Sequence, residues 1–354
     1  MNKQIIVYSQ PMTKEQIQEI KKLLSTPHNI VIIPHRNPDG DAIGASLAMY
    51  HYLNETHNVT VVAPNDYPEF LKWMPASKKV RFFDKQNSQS KKALKKADII
   101  FLLDFNALHR IGDDMANTVE KFEGTFIMID HHQQPDTSIG EYIYSDTSIC
   151  STCQMVYHFL EKLEDIDKIN ADIASCLYTG IMTDTGSFRF PSTTSTTHRI
   201  IADLIDKGAK NAKIHNDVYD TNSYSRLQLL GKALSNLKVE PKLRTAYITM
   251  SQAELDSFNF QKGDTEGVVN YALSLDGIIF AAIFIEDVEQ KIIKISFRSK
   301  GKFSVNQFAR NHFEGGGHDN AAGGRSTVSL EETVTNFLSL LPNYKTELLK
   351  SDEE

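Results

Sequence analysis

The sequence is short of cysteine, tryptophan and long apolar stretches. Among 354 residues there are three cysteines and one tryptophan. Three thiols (Cys150, Cys153 and Cys176) cannot build a disulfide framework, so a reduced, cytoplasmic setting is expected. No apolar run approaches the ~18 residues that a membrane helix needs, so no membrane association is expected. The opening MNKQIIVYSQPMTKEQ turns polar after a short apolar stretch and does not read as a signal peptide. Internal repeats, low-complexity tracts and Pro/Gly/Ser linkers are missing. So are a G-x-x-x-x-G-K-[ST] loop and a nucleophile elbow, which removes P-loop and Ser/His/Asp chemistry from consideration.

Positive charge is also in deficit. Lys and Arg total 38 against 45 Asp and Glu, a formal net charge of −7. Long duplex DNA is gripped through many phosphate–cation contacts, and this balance argues against it. One small phosphorylated ligand held by a few cations remains compatible. What is present is ordinary for a globular chain: 41% hydrophobic and 23% charged residues, too apolar for disorder. At roughly 150 residues per domain, the length suggests about two domains.

Cys150 and Cys153 form a C-x-x-C, but a redox motif needs a thioredoxin-like context. Here STCQMVYHFLEKL follows and predicts an amphipathic helix with small buried thiols at its start.

The first part alternates apolar β-rich runs with helical segments. Thr13-Lys14-Glu15-Gln16 is a capping-box pattern. The runs NIVIIPH, NVTVVAP (58–64), ADIIFLLD (97–104) and GTFIMID (124–130) are separated by helical stretches, one of them from about Ala42 to Leu53. Short continuous apolar strands between helices predict a parallel sheet buried on both faces. The pattern then changes. RTAYITM (244–250), IIFAAIFIE (278–286) and KIIKISFRS (291–299) predict strands, the last two as a hairpin. The fold class expected is α/β, a parallel β-sheet flanked by helices with a second, smaller α/β domain. The expected division is 1–225, a connecting helix over 226–242, and 243–354. The tail SDEE is expected to be solvated.

The chemistry concentrates at strand ends. HRNPDGDAIG (35–44) directly follows the first apolar run and places His35, Asp39 and Asp41 where a parallel α/β sheet binds ligands, beyond the carboxyl ends of its strands. Alone, this segment reads equally well as an N-cap aspartate beside a loop histidine. It is not alone. The run at 97–104 ends in Asp104, and the run at 124–130 ends in Asp130 followed by His131 and His132. The later helical segment CLYTGIMTDTGSFRF presents Asp184. Carboxylates crowded at one edge repel unless cations neutralise them. Asp with neutral His is a ligand set for Mn²⁺-, Fe²⁺- or Zn²⁺-type ions. The ligands on offer exceed one tetrahedral site, so two ions are expected. Two such ions can activate a bridging water and stabilise both oxygens of an in-line phosphoryl displacement.

HRNPDGDAIG, the Asp104 run, the Asp130-His131-His132 triplet and TGIMTDTGSFRF together resemble the four motifs of the DHH-family phosphoesterases, in order over about residues 30–190. The resemblance implies two Mn²⁺ ions. His35, Asp39 and Asp104 would hold one; Asp41, Asp104, His131 and Asp184 would hold the other, with Asp104 shared. It further implies that His132 contacts the scissile phosphate or donates a proton, with Asp130 orienting an imidazole. Arg189, in the GSFRF stretch after Asp184, is assigned a substrate role.

Residues 291–313 carry Lys291, Lys294, Arg298, Lys300, Lys302 and Arg310 and no acidic residue, a local reversal of the overall charge. Arg suits a planar bidentate grip on phosphate. EGGGHDNAAGG (314–324) has three consecutive glycines, whose N–H groups can converge on an anion, and any helix starting at His318 or Asp319 would add its dipole. With Phe297-Arg298-Ser299 this segment resembles the GGGH motif of the C-terminal domain associated with DHH proteins. It implies substrate contacts by Arg298, Ser299, Gly316, Gly317, His318 and Asn320. Glu314 stands where many relatives have a further glycine.

The resemblance therefore implies a cytoplasmic, metal-dependent phosphoesterase of the oligoribonuclease (nanoRNase) and 3′-phosphoadenosine 5′-phosphate phosphatase group. Its partners would be short RNA oligonucleotides and 3′,5′-bisphosphonucleosides. A homodimer is compatible with it, although no interface is legible. Three other functions are weighed: a cyclic- or linear-dinucleotide phosphodiesterase, an inorganic pyrophosphatase or exopolyphosphatase, and a non-catalytic nucleic-acid-binding module. The order Arg298-Ser299-Lys300, in place of the Ser-Arg-Lys of the family's pyrophosphatases, argues against pyrophosphate.

Overall fold

Ile30 to Ile33 and Ile99 to Leu103 are buried at every position. A strand apolar on both sides must be covered on both sides. The computed structural model, which describes residues 9–350, shows how. The expected solvated tail 351–354 lies outside the described residues, as do the first eight residues. The chain divides into two compact units after Thr221.

The first unit contains strands β1 (Ser9–Gln10), β2 (Asn29–Pro34), β3 (Asn58–Ala63), β4 (Arg81–Phe82), β5 (Ile99–Leu103), β6 (Thr125–Asp130) and β7 (Tyr142–Asp146). They form one sheet in the order β1-β7-β6-β5-β2-β3-β4. All neighbours are parallel except β1, which pairs antiparallel with β7. The helices are α1 (Lys14–Leu23), α2 (Gly40–Leu53), α3 (Asn87–Lys96), α4 (Asp113–Val119), α5 (Thr152–Lys162), α6 (Ala171–Asp184), α7 (Ser195–Asp206) and α8 (Asn211–Tyr219). Alternate residues of β5 divide the core. Ile99, Phe101 and Leu103 pack with α2, α5 and α6, while Ile100 and Leu102 pack with Leu94 of α3 and Met115 of α4. The Thr13 capping box forms as expected, with Gln16 N donating to Thr13 Oγ1 at 3.2 Å and Thr13 N to Gln16 Oε1 at 3.0 Å.

The strand order places the site. From β2 the chain proceeds to β3 and β4 on one side, then returns to β5, β6 and β7 on the other. Loops leaving the carboxyl ends of β2 and β5 therefore diverge, and ligands in open α/β sheets bind in the crevice so formed. His35 follows β2 and Asp104 follows β5.

The second unit contains α9 (Tyr224–Ser235), β8 (Lys238–Glu240), β9 (Thr245–Met250), α10 (Gln252–Ser257), α11 (Val268–Leu273), β10 (Phe280–Asp287), β11 (Ile292–Ser299), α12 (Val305–His312), β12 (Gly316–His318), β13 (Ala321–Ser326), α13 (Leu330–Leu340) and α14 (Lys345–Lys350). Its mixed sheet runs β12-β13-β11-β10-β9-β8, with only β9 and β10 parallel. The expected hairpin of β10 and β11 is present. One face buries Phe280, Phe284, Phe297, Phe308 and Phe337, and the other buries Ile248, Ala281, Ile283 and Val269. The segment 226–242 holds most of α9 together with β8. Leu229 and Ala233 of α9 share a core with Ala246 and Ile248, and β8 pairs with β9.

The glycine segment differs from expectation. No helix starts at His318 or Asp319; Gly316–His318 is a strand that pairs with β13. Nor do the glycine N–H groups converge on open space. Gly317 N donates to Asn306 Oδ1 at 3.1 Å and Gly315 N to Ala309 O at 3.3 Å. The glycines serve close backbone approach instead. A Cβ on Gly315 would stand 2.0 Å from Gly323 O, and one on Gly317, at φ +150, would stand 2.5 Å from Ala321 O. Glu314 itself adopts φ +44, the left-handed conformation that a glycine takes without strain.

Candidate metal centre

Eight sequence-predicted residues of the first unit meet around one point. His35 follows Pro34, the last residue of β2, and its Nδ1–H donates to Arg36 O at 2.8 Å. That leaves Nε2 facing Asp104 Oδ2 at 3.5 Å and Asp39 Oδ2 at 3.9 Å. Asp39 is the N-cap of α2: its Oδ1 accepts from Asp41 N at 3.0 Å and Ala42 N at 3.1 Å. Its other oxygen remains turned to His35.

His131 repeats the arrangement from β6. Its Nδ1–H donates to Ile149 O at 3.1 Å. Its Nε2 then lies 3.4 Å from Asp184 Oδ2, 3.6 Å from Asp104 Oδ1 and 3.9 Å from Asp41 Oδ2. Asp184 is the last residue of α6. Asp130, fully buried, accepts from His132 Nδ1 at 2.7 Å through one oxygen and from His132 N at 3.1 Å through the other.

Asp104 has a left-handed backbone, φ +67, outside the comfortable range of an L-residue. Its N–H still donates to Ile129 O at 3.1 Å. Its carboxylate faces both histidines, one oxygen toward His35 and one toward His131.

The electrostatics are those of excess negative charge. Burial pushes the Asp41 carboxyl well up, and Asp104 and Asp184 push it further. Burial lifts Asp184 to about 7 despite His131, with Asp39 and Asp104 adding to the lift. Asp104 goes the other way. Against its burial, His35 and the two neighbouring imidazoles hold it below the usual carboxylate range. Burial also opposes charge on His35 and His131, yet the surrounding carboxylates raise each to about 9. The cluster thus draws protons onto its imidazoles to balance its carboxylates. Divalent cations would do the same with more charge, and aspartate with imidazole is the donor set that transition-series dications accept.

The donor atoms fall into groups of suitable size. His35, Asp39 and Asp104 offer atoms within 4.8 Å of one another, and so do Asp41, Asp104 and His131. Asp104 belongs to both. A third group, Asp104, Asp130 and His132, meets the same criterion, but there His132 and Asp130 already satisfy each other.

Two features escaped the sequence reading. The first is the start of α5. Thr152 N and Cys153 N donate to Asp41 Oδ2 and Oδ1 at 2.6 and 2.8 Å, and Thr152 Oγ1 donates to Asp104 Oδ1 at 2.9 Å. The C-x-x-C stretch is therefore part of the site's support. Its thiols are buried as expected, and burial raises Cys150 to about 12 and Cys153 well above the ordinary thiol range. The second is Gly180 of α6. A Cβ there would stand 2.8 Å from Asp41 Oδ1. An N-cap serine, Ser151, before a helix was the one available signal for the first feature.

Arg189 lies on an exposed turn beyond α6, where its Nε donates to Gly186 O at 2.7 Å. The remaining predicted residues belong to the second unit. Arg298, on β11, donates to Phe297 O at 2.9 Å through a terminal nitrogen. Ser299 is buried; its hydroxyl donates to Phe303 O at 2.6 Å and accepts from Asn320 Nδ2 at 2.9 Å. Asn320 also donates to Gly301 O at 3.0 Å. Ser299 and Asn320 therefore brace the turn after β11. Gly316, Gly317 and His318 form β12 beside Asn306 and Arg310, whose Nε shares Asn306 Oδ1 at 3.0 Å. Among the described residues no helix is long and apolar enough to cross a membrane.

The chain is similar to known proteins over parts of both units. Residues 29–181 match the model of the DHH family, N-terminal domain, and residues 244–346 match the DHHA1 domain. The chain is 31% identical over 310 residues to the bifunctional oligoribonuclease and PAP phosphatase NrnA of Thermus thermophilus, covering 87% of this chain and 86% of that protein. To the protein of the same name from Bacillus subtilis it is 27% identical over 306 residues, covering 86% and 91%. A crystal structure of an exopolyphosphatase-related protein from Bacteroides fragilis superposes with a TM-score of 0.89 at 40% identity, covering 98% of this chain and 99% of that one.

Proposed function

The chain belongs to the DHH family of phosphoesterases, and from that premise we propose that it hydrolyses short oligoribonucleotides to mononucleotides and removes the 3′-phosphate of 3′-phosphoadenosine 5′-phosphate. The observation that carries the reading is the pair of donor groups sharing Asp104 at the switch point of the sheet. The substrates are those named for the relatives from Thermus thermophilus and Bacillus subtilis, which match both units.

In this reading His35, Asp39 and Asp104 would hold one divalent cation, and Asp41, Asp104, His131 and Asp184 would hold a second. Manganese is the expected metal. Cations bound there would supply an acidified water as nucleophile and positive charge for the phosphoryl oxygens. The rest falls to the protein. The Nδ1–H donations of His35 and His131 to Arg36 O and Ile149 O fix each ring so that Nε2 faces the cluster. His132, held by Asp130 through Nδ1, presents Nε2 to the scissile phosphate and donates a proton to the departing oxygen as the phosphorus–oxygen bond breaks. Arg298, with Gly316, Gly317 and His318, recognises the substrate's terminal phosphate and nucleoside, and Arg189 makes a further phosphate contact. Ser299 and Asn320 set the shape of that surface.

The test is a substrate panel with Mn²⁺: RNA of two to five nucleotides, a 3′,5′-bisphosphonucleoside, a cyclic dinucleotide, its linear form, and pyrophosphate. Turnover of the first two is expected. Preference for pyrophosphate would overturn the assignment, and preference for a dinucleotide would redirect it to a phosphodiesterase of that class. Asp184→Ala should lose both activity and bound cation. Unchanged hydrolysis in that variant would remove the metal centre from the reaction.

A further inference from the structure

We propose that Thr152 is a positioning residue that locks Asp41 and Asp104 in one relative orientation, so that the metal centre is preorganised before any cation binds. The inference rests on the metal-centre reading above and adds a residue that the four motifs do not contain.

The two carboxylates arrive on unrelated elements, Asp41 on the first turn of α2 and Asp104 just beyond β5. Thr152 reaches both. Its N–H donates to Asp41 Oδ2 at 2.6 Å and its hydroxyl to Asp104 Oδ1 at 2.9 Å. Cys153 N takes the other oxygen of Asp41 at 2.8 Å. Asp41 is thus gripped at both oxygens by the opening turn of α5, where the helix dipole favours an anion. It has no freedom to turn.

Asp104 is held differently. Oδ1 accepts from Thr152 and lies 3.6 Å from His131 Nε2, while Oδ2 faces His35 Nε2 at 3.5 Å. One oxygen therefore faces each donor group. The terminal torsion of an aspartate is soft and roughly two-fold, so it does not maintain that division by itself. The Thr152 hydroxyl supplies a direction. Thr152 is fully buried, and buried hydroxyls are as a rule hydrogen-bonded; the partner here is Asp104. The left-handed backbone of Asp104 is a further reason for an external hold, because such conformations persist only where the surroundings enforce them.

Thr152→Val separates the two contacts. It keeps the side-chain volume and the N–H bond to Asp41 and removes only the hydroxyl. Thr152→Ser restores the hydroxyl. Mn²⁺ binding to the full chain is measured by titration calorimetry, and the spin coupling between ions by electron paramagnetic resonance at two equivalents. Wild type and Thr152→Ser should bind two equivalents and show a coupled spectrum. Thr152→Val should bind at least one equivalent about 10–100-fold more weakly, the usual effect of losing such a support, and show the spectrum of isolated ions. A folded Thr152→Val that binds both equivalents within twofold of wild type, with an unchanged spectrum, overturns the inference and leaves the metal reading standing. Should the valine variant fail to fold, Thr152→Ala against Thr152→Ser is read by the same criteria. A wild-type protein that takes up no pair of cations overturns the metal reading, and the inference with it.

Discussion

Gly180 of α6 packs so closely on Cys153 of α5 that a Cβ at the glycine would stand 2.1 Å from the cysteine Sγ. The same Cβ would stand 2.8 Å from Asp41 Oδ1. Gly44 of α2 completes the crossing, since a Cβ there would meet Cys176 O at 2.6 Å and Gly180 N at 3.2 Å. The three helices that carry Asp41, Asp184 and the support of Asp41 are thus held at backbone distance. Gly180→Ala must push them apart. Overpacking of this kind costs roughly 1–3 kcal/mol, to be read from urea unfolding, and Mn²⁺ affinity should fall with it. Adding Cys153→Ala removes the sulfur and should return part of the stability. It leaves the contacts to Asp41 Oδ1 and to the Cβ of residue 153, at 2.8 and 2.9 Å, so cation affinity should stay low. Full recovery of affinity in the double variant would show that the approach of α6 does not place Asp41.

Asp130 offers both oxygens to one residue, accepting from His132 Nδ1 at 2.7 Å and from His132 N at 3.1 Å. Asparagine keeps the shape but has one acceptor and one donor. It cannot accept from both, so either one contact is lost or the ring takes the tautomer in which Nδ1 accepts. Asp130→Asn is expected to lower kcat about 10–100-fold, as changes to groups supporting an active imidazole do. KM and the number of bound cations should change little, because neither depends on the His132 ring orientation in the proposed scheme. Loss of cations in this variant would instead place Asp130 and His132 among the ligands.

In the second unit the corresponding support is Asn306, almost fully buried, whose Oδ1 accepts from Gly317 N at 3.1 Å and Arg310 Nε at 3.0 Å. Asn306→Ala leaves both donors without that acceptor and frees the glycine strand to shift. KM for short RNA should rise about tenfold, the equivalent of ~1.4 kcal/mol, with cation loading unaltered. Asn306→Asp retains the acceptor and should be milder. Arg298→Ala should raise KM by about 10–100-fold, in line with a charge-assisted contact of ~1.5–3 kcal/mol, again without loss of metal. Cation loss in either variant would contradict the division of labour between the units.

The parts of this architecture legible in the sequence share one physical basis. Ile99–Leu103 and Thr125–Asp130 are continuous apolar runs, a pattern a strand covered on both faces produces. Residues that close or directly follow such runs lie at the carboxyl edge of the sheet, which is what places Asp104, Asp130 and His131. Asp184 sits at the end of an equally apolar helix. Thr152 could not be found this way. Its hydroxyl meets a residue 48 positions away, and a Ser-Thr pair at a helix start reads first as a cap. The strand Gly316–His318 was hidden for a different reason. Glycine lacks the side chain on which strand patterning depends. Pairing there follows from the close approach of β12 to β13, which only bare backbone permits. Tyr142–Asp146 was missed because only Tyr142 to Tyr144 are apolar and polar residues border the strand on both sides.

Glu254 gives the second unit a pH dependence of its own. Its Oε2 accepts from Ser251 N at 2.9 Å and Ser251 Oγ at 3.1 Å, and its Oε1 accepts from Asn236 Nδ2 at 3.0 Å and Lys232 Nζ at 3.1 Å. One carboxylate thus caps α10 and ties it to α9 and the residue that follows it. Burial alone would raise its pKa, but these donors outweigh it and hold the group at about 2, against 4.5 for an ordinary glutamate. The folded protein therefore binds this proton less readily than the unfolded chain. The stability so gained is complete above about pH 4.5 and disappears as the pH falls toward 2. Glu254→Gln keeps the size of the side chain and removes the charge. In urea unfolding at pH 7 the variant should be less stable by about 1 kcal/mol, the usual scale of a lost cap. The gap should begin to narrow below pH 4.5 and keep narrowing for as long as the fold survives acid. A gap that stays constant from pH 7 down to pH 3 would show that the contribution of Glu254 is independent of its charge, and that neutral hydrogen bonds hold α9 to α10.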